Sequence, residues 1–316
     1  MKPSFSALCL PIATLATLFA CGESTPPVNT GGTVPVGAAG AEAHRKSAPI
    51  VFESKTTGKR PFPFALVAGK VGDQPTHFIV DTGASAHAID TSIATAAHLT
   101  APAKTSAVTL DEWGSLGDKP LAIVELPARF KEHGIGGVIS PQQLAEGGDA
   151  VVVDILNRQM RLRPKSTAWS ELNDFGVVLT PAEQRKFCAV DVGGVQGVVL
   201  AVDSNIEGEP ARLAIDTGAG RTRLIESSKG GAKAATHPVL GRSMAVGAAT
   251  DVAASIHGGV PIAVGAWATT VDVGVAPGEK HPQCGYEGRI GMDVLSQCAI
   301  GMATDEFLLA CRAPGK

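Results

Sequence analysis

Short apolar stretches, rather than long amphipathic ones, dominate the chain after residue 60. Residues 64–71 and 78–80 are two such stretches, and the turn-forming sequence Gly-Asp-Gln-Pro lies between them. Apolar runs of this length that are bounded by Gly and Pro are typical of strands. The pattern therefore predicts an all-β fold, with one short helix at residues 91–98 that has Asp90 as its N-cap.

The same plan occurs twice, and Asp216 lies 135 residues after Asp81. In each copy, an apolar strand, a turn with Gly and Pro, and a second apolar stretch lead into the sequence Asp-Thr-Gly-Ala. One Asp-Thr-Gly triplet is weak evidence, but two triplets in matching contexts indicate an internal repeat. The repeated residues are Asp81, Thr82, Gly83 and Ala84 in the first half and Asp216, Thr217, Gly218 and Ala219 in the second.

The repeat continues beyond these triplets. Residues 137–140 and 288–291 both begin with Gly and contain Ile, and each is followed by a Leu at the same interval. A pair of strands is expected after each segment, at 150–154 with 159–163 and at 298–302 with 307–311. The two halves therefore share one order of elements.

The paired Asp-Thr-Gly sequences resemble those of the retropepsin and pepsin-like aspartic peptidases, in particular a bacterial retropepsin-like branch, and the resemblance covers residues 62–312. It implies two small β-barrel lobes, each with one Asp-Thr-Gly loop, and an active-site cleft between them. Two residues depart from the family pattern. Ser140 stands where Gly is expected, and Arg289 replaces an apolar residue in the second half.

The resemblance also implies aspartic endopeptidase chemistry, in which Asp81 and Asp216 activate the water that hydrolyses a peptide bond. Two carboxyl groups in contact cannot both ionise, so they share one proton and supply an acid and a base at the same pH. In the family, hydroxyls equivalent to those of Thr82 and Thr217 bond across the lobe interface. Because the residue after each triplet is Ala, with no hydroxyl to lower the pKa of the pair, we expect activity at mildly acidic to neutral pH.

Hairpins that cover the substrate, known as flaps, are expected between each Asp-Thr-Gly loop and the Gly-containing strand that follows it. The candidates are residues 110–118, with Trp113 and Gly114 at the tip, and residues 256–261 around Gly258 and Gly259. Trp113 also fits a core aromatic residue, and Gly pairs often mark plain turns.

The charge and composition argue against several other classes of protein. The net charge is −3 and there is no long run of Lys or Arg, so no nucleic-acid partner is expected. His residues lack the spacing of a metal site, and His77, His87 and His98 are expected at the surface or in packing contacts. There is no P-loop or dinucleotide-binding motif, and we expect neither a metal nor a cofactor.

The N-terminus resembles that of an exported protein. Residues 1–20 combine Lys2 with an apolar run, as a signal peptide does. The sequence that ends at Cys21 resembles the lipobox of bacterial lipoproteins, so Cys21 is the predicted lipidation site; an ordinary secretory signal is the alternative. Residues 21–60, rich in Gly, Pro, Thr and Ala, are expected to be a flexible tether. These features predict attachment to a membrane of the bacterial cell envelope, on its periplasmic or extracellular face.

Four Cys residues remain after the lipidation site, and outside the cytosol an even set is better explained by disulfides than by metal binding. If Met302 pairs with Phe307 in the predicted hairpin, Cys298 lies opposite Cys311, within disulfide reach. Elimination then pairs Cys188 with Cys284.

These predictions divide the chain into an N-terminal lobe at 61–165, a linker at 166–182 and a C-terminal lobe at 183–316. The short linker favours pairing of the two lobes within one chain, so we expect a monomer that acts on a peptide or protein substrate; pairing between two chains is the alternative. A fold does not prove an activity. The alternative function is therefore a non-catalytic binding or assembly lipoprotein that retains the peptidase fold.

Overall fold

A computed structural model describes residues 46–52, 63–192, 195–246 and 251–312. This part of the chain is mostly β, as the apolar pattern predicts. Its helices are all too short or too polar to cross a membrane. The predicted signal peptide and Cys21 lie outside the described residues, as does most of the predicted tether.

The first half forms an eight-stranded sheet. Its strands, numbered along the chain, are β2 (Leu66–Val71), β3 (Gln74–Val80), β4 (Ala88–Asp90), β5 (Ala103–Lys104), β6 (Val108–Leu110), β7 (Gly114–Ser115), β8 (Pro120–Val124) and β9 (Ile135–Ile139). Their order is β5-β8-β4-β9-β3-β2-β6-β7. The hairpin β2–β3 turns at Gly72, whose φ of 55° lies in the region that Gly adopts without strain.

The second half forms a seven-stranded sheet. Its strands are β15 (Ala201–Ile206), β16 (Glu209–Ile215), β17 (Arg223–Ile225), β18 (Val239–Val246), β19 (Asp251–Val264), β20 (Trp267–Ala276) and β21 (Gly288–Ile290). Their order is β15-β16-β21-β17-β20-β19-β18. The apolar residues just before this sheet, 195–199, form β14 (Val195–Val199), which pairs with β13 (Cys188–Val192) in a separate hairpin.

The internal repeat is visible in the way the two sheets are connected. In the first sheet, β9 is parallel to β3 and antiparallel to β4, and β4 is parallel to β8. In the second sheet, β21 is parallel to β16 and antiparallel to β17, and β17 is parallel to β20. Each half therefore places the strand before its Asp-Thr-Gly sequence beside the Gly-containing strand that sequence analysis matched.

A six-stranded sheet draws strands from both halves. It contains β1 (Ser47–Pro49), β10 (Asp149–Asp154), β11 (Gln159–Pro164), β12 (Val177–Val178), β22 (Cys298–Met302) and β23 (Phe307–Cys311), in the order β1-β11-β10-β22-β23-β12. Both predicted strand pairs are confirmed, because β10 pairs with β11 and β22 pairs with β23. Pairing of β10 with β22 joins the two halves of the chain through main-chain hydrogen bonds.

The helices are short except for one. They are α1 (Thr91–Ala96), α2 (Ala128–Glu132), α3 (Lys165–Phe175), α4 (Lys229–Ala234) and α5 (Met292–Leu295). The predicted helix after Asp90 is confirmed as α1, and the Asp90 carboxylate accepts a hydrogen bond from the Ser92 amide at 2.8 Å.

Helix α3 lies in the segment that sequence analysis treated as a linker. Its buried Ala168 and Leu172 pack on one face of the six-stranded sheet, where a Cβ on Gly301 would come within 2.5 Å of Leu172. The other face of that sheet joins the main hydrophobic core. Burial on both faces explains why its central strands are almost wholly apolar.

Residues 47–49, within the predicted tether, form an edge strand instead. Strand β1 pairs with β11, and the neighbouring Ala48 and Ile50 are buried. The composition of residues 21–60 did not indicate this strand, because Gly, Pro, Thr and Ala dominate the range and the strand has only 3 residues.

Two disulfides are present in the structure. In the β22–β23 hairpin, Met302 pairs with Phe307 and Cys298 lies opposite Cys311, to which it is bonded. The second disulfide joins Cys188 at the start of β13 to Cys284, in the loop between β20 and β21.

Candidate functional site

Asp81 and Asp216 each follow directly after a buried strand in the interior of a sheet. The amide of Asp81, after β3, donates to the carbonyl of Ile139 in β9 at 2.9 Å. The amide of Asp216, after β16, donates to the carbonyl of Ile290 in β21 at 3.0 Å. Each loop is therefore fixed where it begins by the parallel neighbour of its own strand.

The two Thr side chains connect the loops to each other, and both are fully buried. The hydroxyl of Thr82 donates to the carbonyl of Ile215 at 2.8 Å, and that of Thr217 donates to the carbonyl of Val80 at 2.6 Å. Each hydroxyl also accepts from the amide of the other Thr, at 3.0 and 3.1 Å. Four hydrogen bonds thus hold the two halves together directly beneath the carboxyl groups.

Each Gly of the two triplets lies against the carboxyl group of the opposite loop. A Cβ on Gly218 would lie 2.4 Å from Cγ of Asp81, and a Cβ on Gly83 would lie 2.8 Å from Cγ of Asp216. Since these distances leave no room for a side chain, only Gly allows the loops to approach this closely. The structure therefore brings the carboxyl groups of Asp81 and Asp216 into one site.

The two carboxyl groups have different partners. The amide of Gly83 donates to Asp81 at 2.7 Å. Nη1 of Arg289 donates to Oδ2 of Asp216 at 2.6 Å, and the Arg289 side chain is 47% exposed. In the first half Val138 pairs with β3 at the position where Arg289 pairs with β16. Sequence analysis identified Arg289 only as a departure from an apolar residue, so its ion pair with Asp216 was missed.

Burial raises the pKa of Asp81 to about 7, and the negative charge of Asp216 contributes to this shift. The amide of Gly83 and the charge of Arg289 act in the opposite direction, to lower the pKa. A carboxyl group with a pKa near 7 retains its proton at mildly acidic pH, where an ordinary Asp is ionised. The pair can therefore hold a single proton, as general acid and base chemistry requires.

A network of hydrogen bonds between Thr222, Asp293 and Gly291 supports the loop that carries Asp216. Oδ1 of Asp293, on α5, accepts from both the amide and the hydroxyl of Thr222 at 2.8 Å. The hydroxyl of Thr222 in turn accepts from the amide of Gly291 at 3.1 Å. A Cβ on Gly291 would lie 2.4 Å from the backbone of Arg221, so Gly is required there.

The first loop has different residues in the corresponding places. Ser140 replaces the expected Gly, and its hydroxyl donates to the carbonyl of Ala84 at 2.8 Å, which explains how the larger residue is accommodated. The Ser140 amide donates to Nδ1 of His87 at 3.2 Å. His87 is fully buried, in a packing position of the kind that sequence analysis expected. Burial lowers its pKa to about 4, and the charge of Lys119 contributes to this shift. It therefore supports the loop as a neutral ring.

The structure has a hairpin at the first predicted flap segment and a continuous strand at the second. Trp113 and Gly114 lie at the β6–β7 hairpin, but the Trp113 side chain is buried in the core. Gly258 and Gly259 do not form a hairpin turn, because β19 continues through them with a bulge in its pairing to β20. The φ of Gly259 is 71°, and a Gly in this conformation fits a bulge as well as a turn.

Comparison with known proteins points to one family. A family model described as "Aspartyl protease" matches residues 67–117, which include Asp81, Thr82 and Gly83 but end before Asp216. The match supports a relationship to an aspartyl protease-like family and suggests a hydrolase of that kind. No curated protein matches the chain.

Within the described residues, no group of three or more His, Cys, Asp or Glu side chains is arranged to hold a metal ion.

We predict that Thr217→Val lowers the free energy of unfolding by about 2–4 kcal/mol, because it removes the donor to Val80 and leaves the buried amide of Thr82 without an acceptor. Urea unfolding of the full chain would measure this. Thr217→Ser, which keeps the hydroxyl, is the matched control and should cost clearly less. Equal losses in the two variants would contradict the role assigned to the hydroxyl.

A second prediction concerns the charge on the carboxyl pair. The pKa of Asp81 is raised in the folded state, so folding takes up a proton between pH 3.8 and about 7 and the native state loses stability as the pH rises through this range. Asp81→Asn removes that loss. We expect the stability of this variant relative to wild type to rise by about 3 kcal/mol from pH 5 to pH 8.5, because the two units between pH 5 and the raised pKa each contribute ~1.4 kcal/mol.

Thermal unfolding at the two pH values would test this prediction, with Asp73→Asn, an exposed Asp in the β2–β3 turn, as the control. A stability difference for Asp81→Asn that does not change with pH would show that the pKa of Asp81 is not raised in the folded state.

Proposed function

We propose that the protein is a retropepsin-like aspartic endopeptidase, with an N-terminal lobe at 61–165, a linking segment at 166–182 and a C-terminal lobe at 183–316 that face each other across a cleft. The meeting of the Asp81 and Asp216 carboxyl groups between cross-bonded loops carries this proposal. The partial match to the aspartyl protease family and the repeated sheet connectivity support it.

The geometry suggests a role for each carboxyl group. Asp216 accepts a charged hydrogen bond from Arg289, and such a bond favours a carboxylate, so Asp216 is the base that takes a proton from water. Asp81 carries the shared proton and donates it to the carbonyl oxygen of the scissile bond as the hydroxide adds to carbon. Asp216 then passes the proton that it took from water to the leaving nitrogen, the C–N bond breaks, and a hydroxyl of the tetrahedral intermediate returns a proton to Asp81. Water and the peptide are the only reactants.

The N-terminal sequence adds a proposal about location. The signal-like residues 1–20 and Cys21 support a bacterial lipoprotein held at the cell envelope, where the disulfides Cys188–Cys284 and Cys298–Cys311 would be stable. Both carboxyl groups come from one chain, which supports activity as a monomer.

Cleavage of a peptide library by the full chain tests the proposal. We expect wild type to cleave, and Asp81→Asn and Asp216→Asn each to lose at least about 10²-fold in kcat/KM, since each removes one partner of acid–base catalysis. Asp73→Asn should cleave as wild type does. Binding of peptides without cleavage, or equal cleavage by all four proteins, would favour the non-catalytic binding lipoprotein instead.

The proposal also predicts how Arg289 affects the pH profile. Its charge lowers the pKa of Asp81, so Arg289→Leu should raise that pKa further and let the pair keep its proton to higher pH. The basic limb of kcat/KM, expected near pH 7 in wild type, should then move to higher pH. Arg289→Lys keeps the charge and should move the limb less. A limb at the same pH in wild type and Arg289→Leu would exclude this electrostatic role.

A further inference from the structure

A cavity of about 350 Å³ opens beside Asp216 in the second half of the chain. Its walls are β17, the end of β20, the loop at 277–287 and the start of β21. Arg289 lines this cavity and its guanidinium group donates to Asp216, so the cavity adjoins the carboxyl pair. A substrate bound at the carboxyl pair would therefore have a side chain or terminus within reach of the cavity.

Arg223, the cross-strand partner of Arg289, lines the same cavity, and its guanidinium group has no acceptor among the described residues. Burial and the nearby charge of Arg289 both lower the pKa of Arg223, and only Asp216 acts in the opposite direction. A half-buried guanidinium group that lacks a partner is costly. An anionic ligand in the cavity would relieve this cost.

The charges around the cavity do not balance. The carboxyl pair with one shared proton contributes −1 and the two guanidinium groups of Arg223 and Arg289 contribute +2, which leaves +1. Glu279 and Lys280 also line the cavity and cancel each other. The cavity therefore favours an anion, and a carboxylate can accept two parallel hydrogen bonds from a guanidinium group.

The loop at 277–287, which forms one wall of the cavity, is held in place by local contacts. Tyr286 stacks on His281, with ring centroids 4.7 Å apart. The disulfide Cys188–Cys284 ties this loop to the β13–β14 hairpin. That hairpin packs at Gly197 against Ser85, the residue after the first Asp-Thr-Gly-Ala sequence. The wall is thus fixed relative to both Asp loops, as a selective subsite requires.

We infer that this cavity binds a carboxylate of the substrate beside the scissile bond, through Arg223 and Arg289. The inference rests on the proposed function and names its substrate class: peptides with an acidic group next to the cleavage site. The carboxylate has two possible sources, an Asp or Glu side chain and a free C-terminus close to the bond that is cleaved.

The test uses the full chain and peptides that differ at one residue, with Glu, Gln, Leu or Lys placed in turn at each position around the cleavage site. We expect kcat/KM for Glu to exceed that for Gln at least tenfold at one position. In Arg223→Gln this ratio should fall to about twofold or less, and in Arg223→Glu it should invert in favour of Lys. Arg129→Gln, the same substitution at an exposed site on α2, should keep the wild-type ratio.

Each outcome decides the inference. Cleavage without a preference for Glu or for a free C-terminus overturns it and leaves the peptidase proposal intact. A preference that disappears when the C-terminus is amidated, but not when Glu is replaced by Gln, supports the carboxylate site and assigns it to the terminus.

If wild type cleaves nothing, the proposed function fails, and binding of the same peptides tests the cavity. Tighter binding of the acidic peptide that Arg223→Gln removes supports the site, and equal binding overturns it.

Discussion

The close approach of two carboxyl groups is the constraint on which the rest of this site depends. Like charges at contact repel strongly, and the repulsion grows where water is excluded. The loops that carry Asp81 and Asp216 would therefore separate unless something opposed the repulsion. The cross-bonded hydroxyls of Thr82 and Thr217 hold the loops together, and the raised pKa of Asp81 lowers the repulsion, because that carboxyl group is neutral below about pH 7.

The sheets explain how such loops can be held rigidly. Each Asp follows a strand whose parallel neighbour accepts a hydrogen bond from the Asp amide, so the position of the loop follows from the core of its own half. The six-stranded sheet then joins the halves through β10 and β22. The Thr contacts are thus made between two units that are already connected elsewhere, which reduces the entropy lost when the loops meet.

Local patterns predicted the parts of this arrangement that depend on register and repetition. The Met302 and Phe307 pairing followed from the hairpin sequence, and it places Cys298 opposite Cys311. Features that depend on long-range packing were not accessible. Helix α3 was missed because only the sheet beneath it shows which of its faces is buried, and the Gly258–Gly259 bulge resembled a turn because both use the same backbone conformation. The ion pair of Arg289 required the position of β21 relative to Asp216.

Two departures from the repeat, Ser140 and Arg289, lie beside the two Asp loops, and the second of them suggests why a single chain is useful. Two identical halves would place the same residues around both carboxyl groups and give neither a preference for the proton. Here Arg289 contacts Asp216 while Val138 holds the corresponding place in the first half. Burial also raises the pKa of Asp81, so the two carboxyl groups are not equivalent. Only a chain in which the halves vary independently can place one guanidinium group in this way, and the same group then becomes available to the cavity beside it.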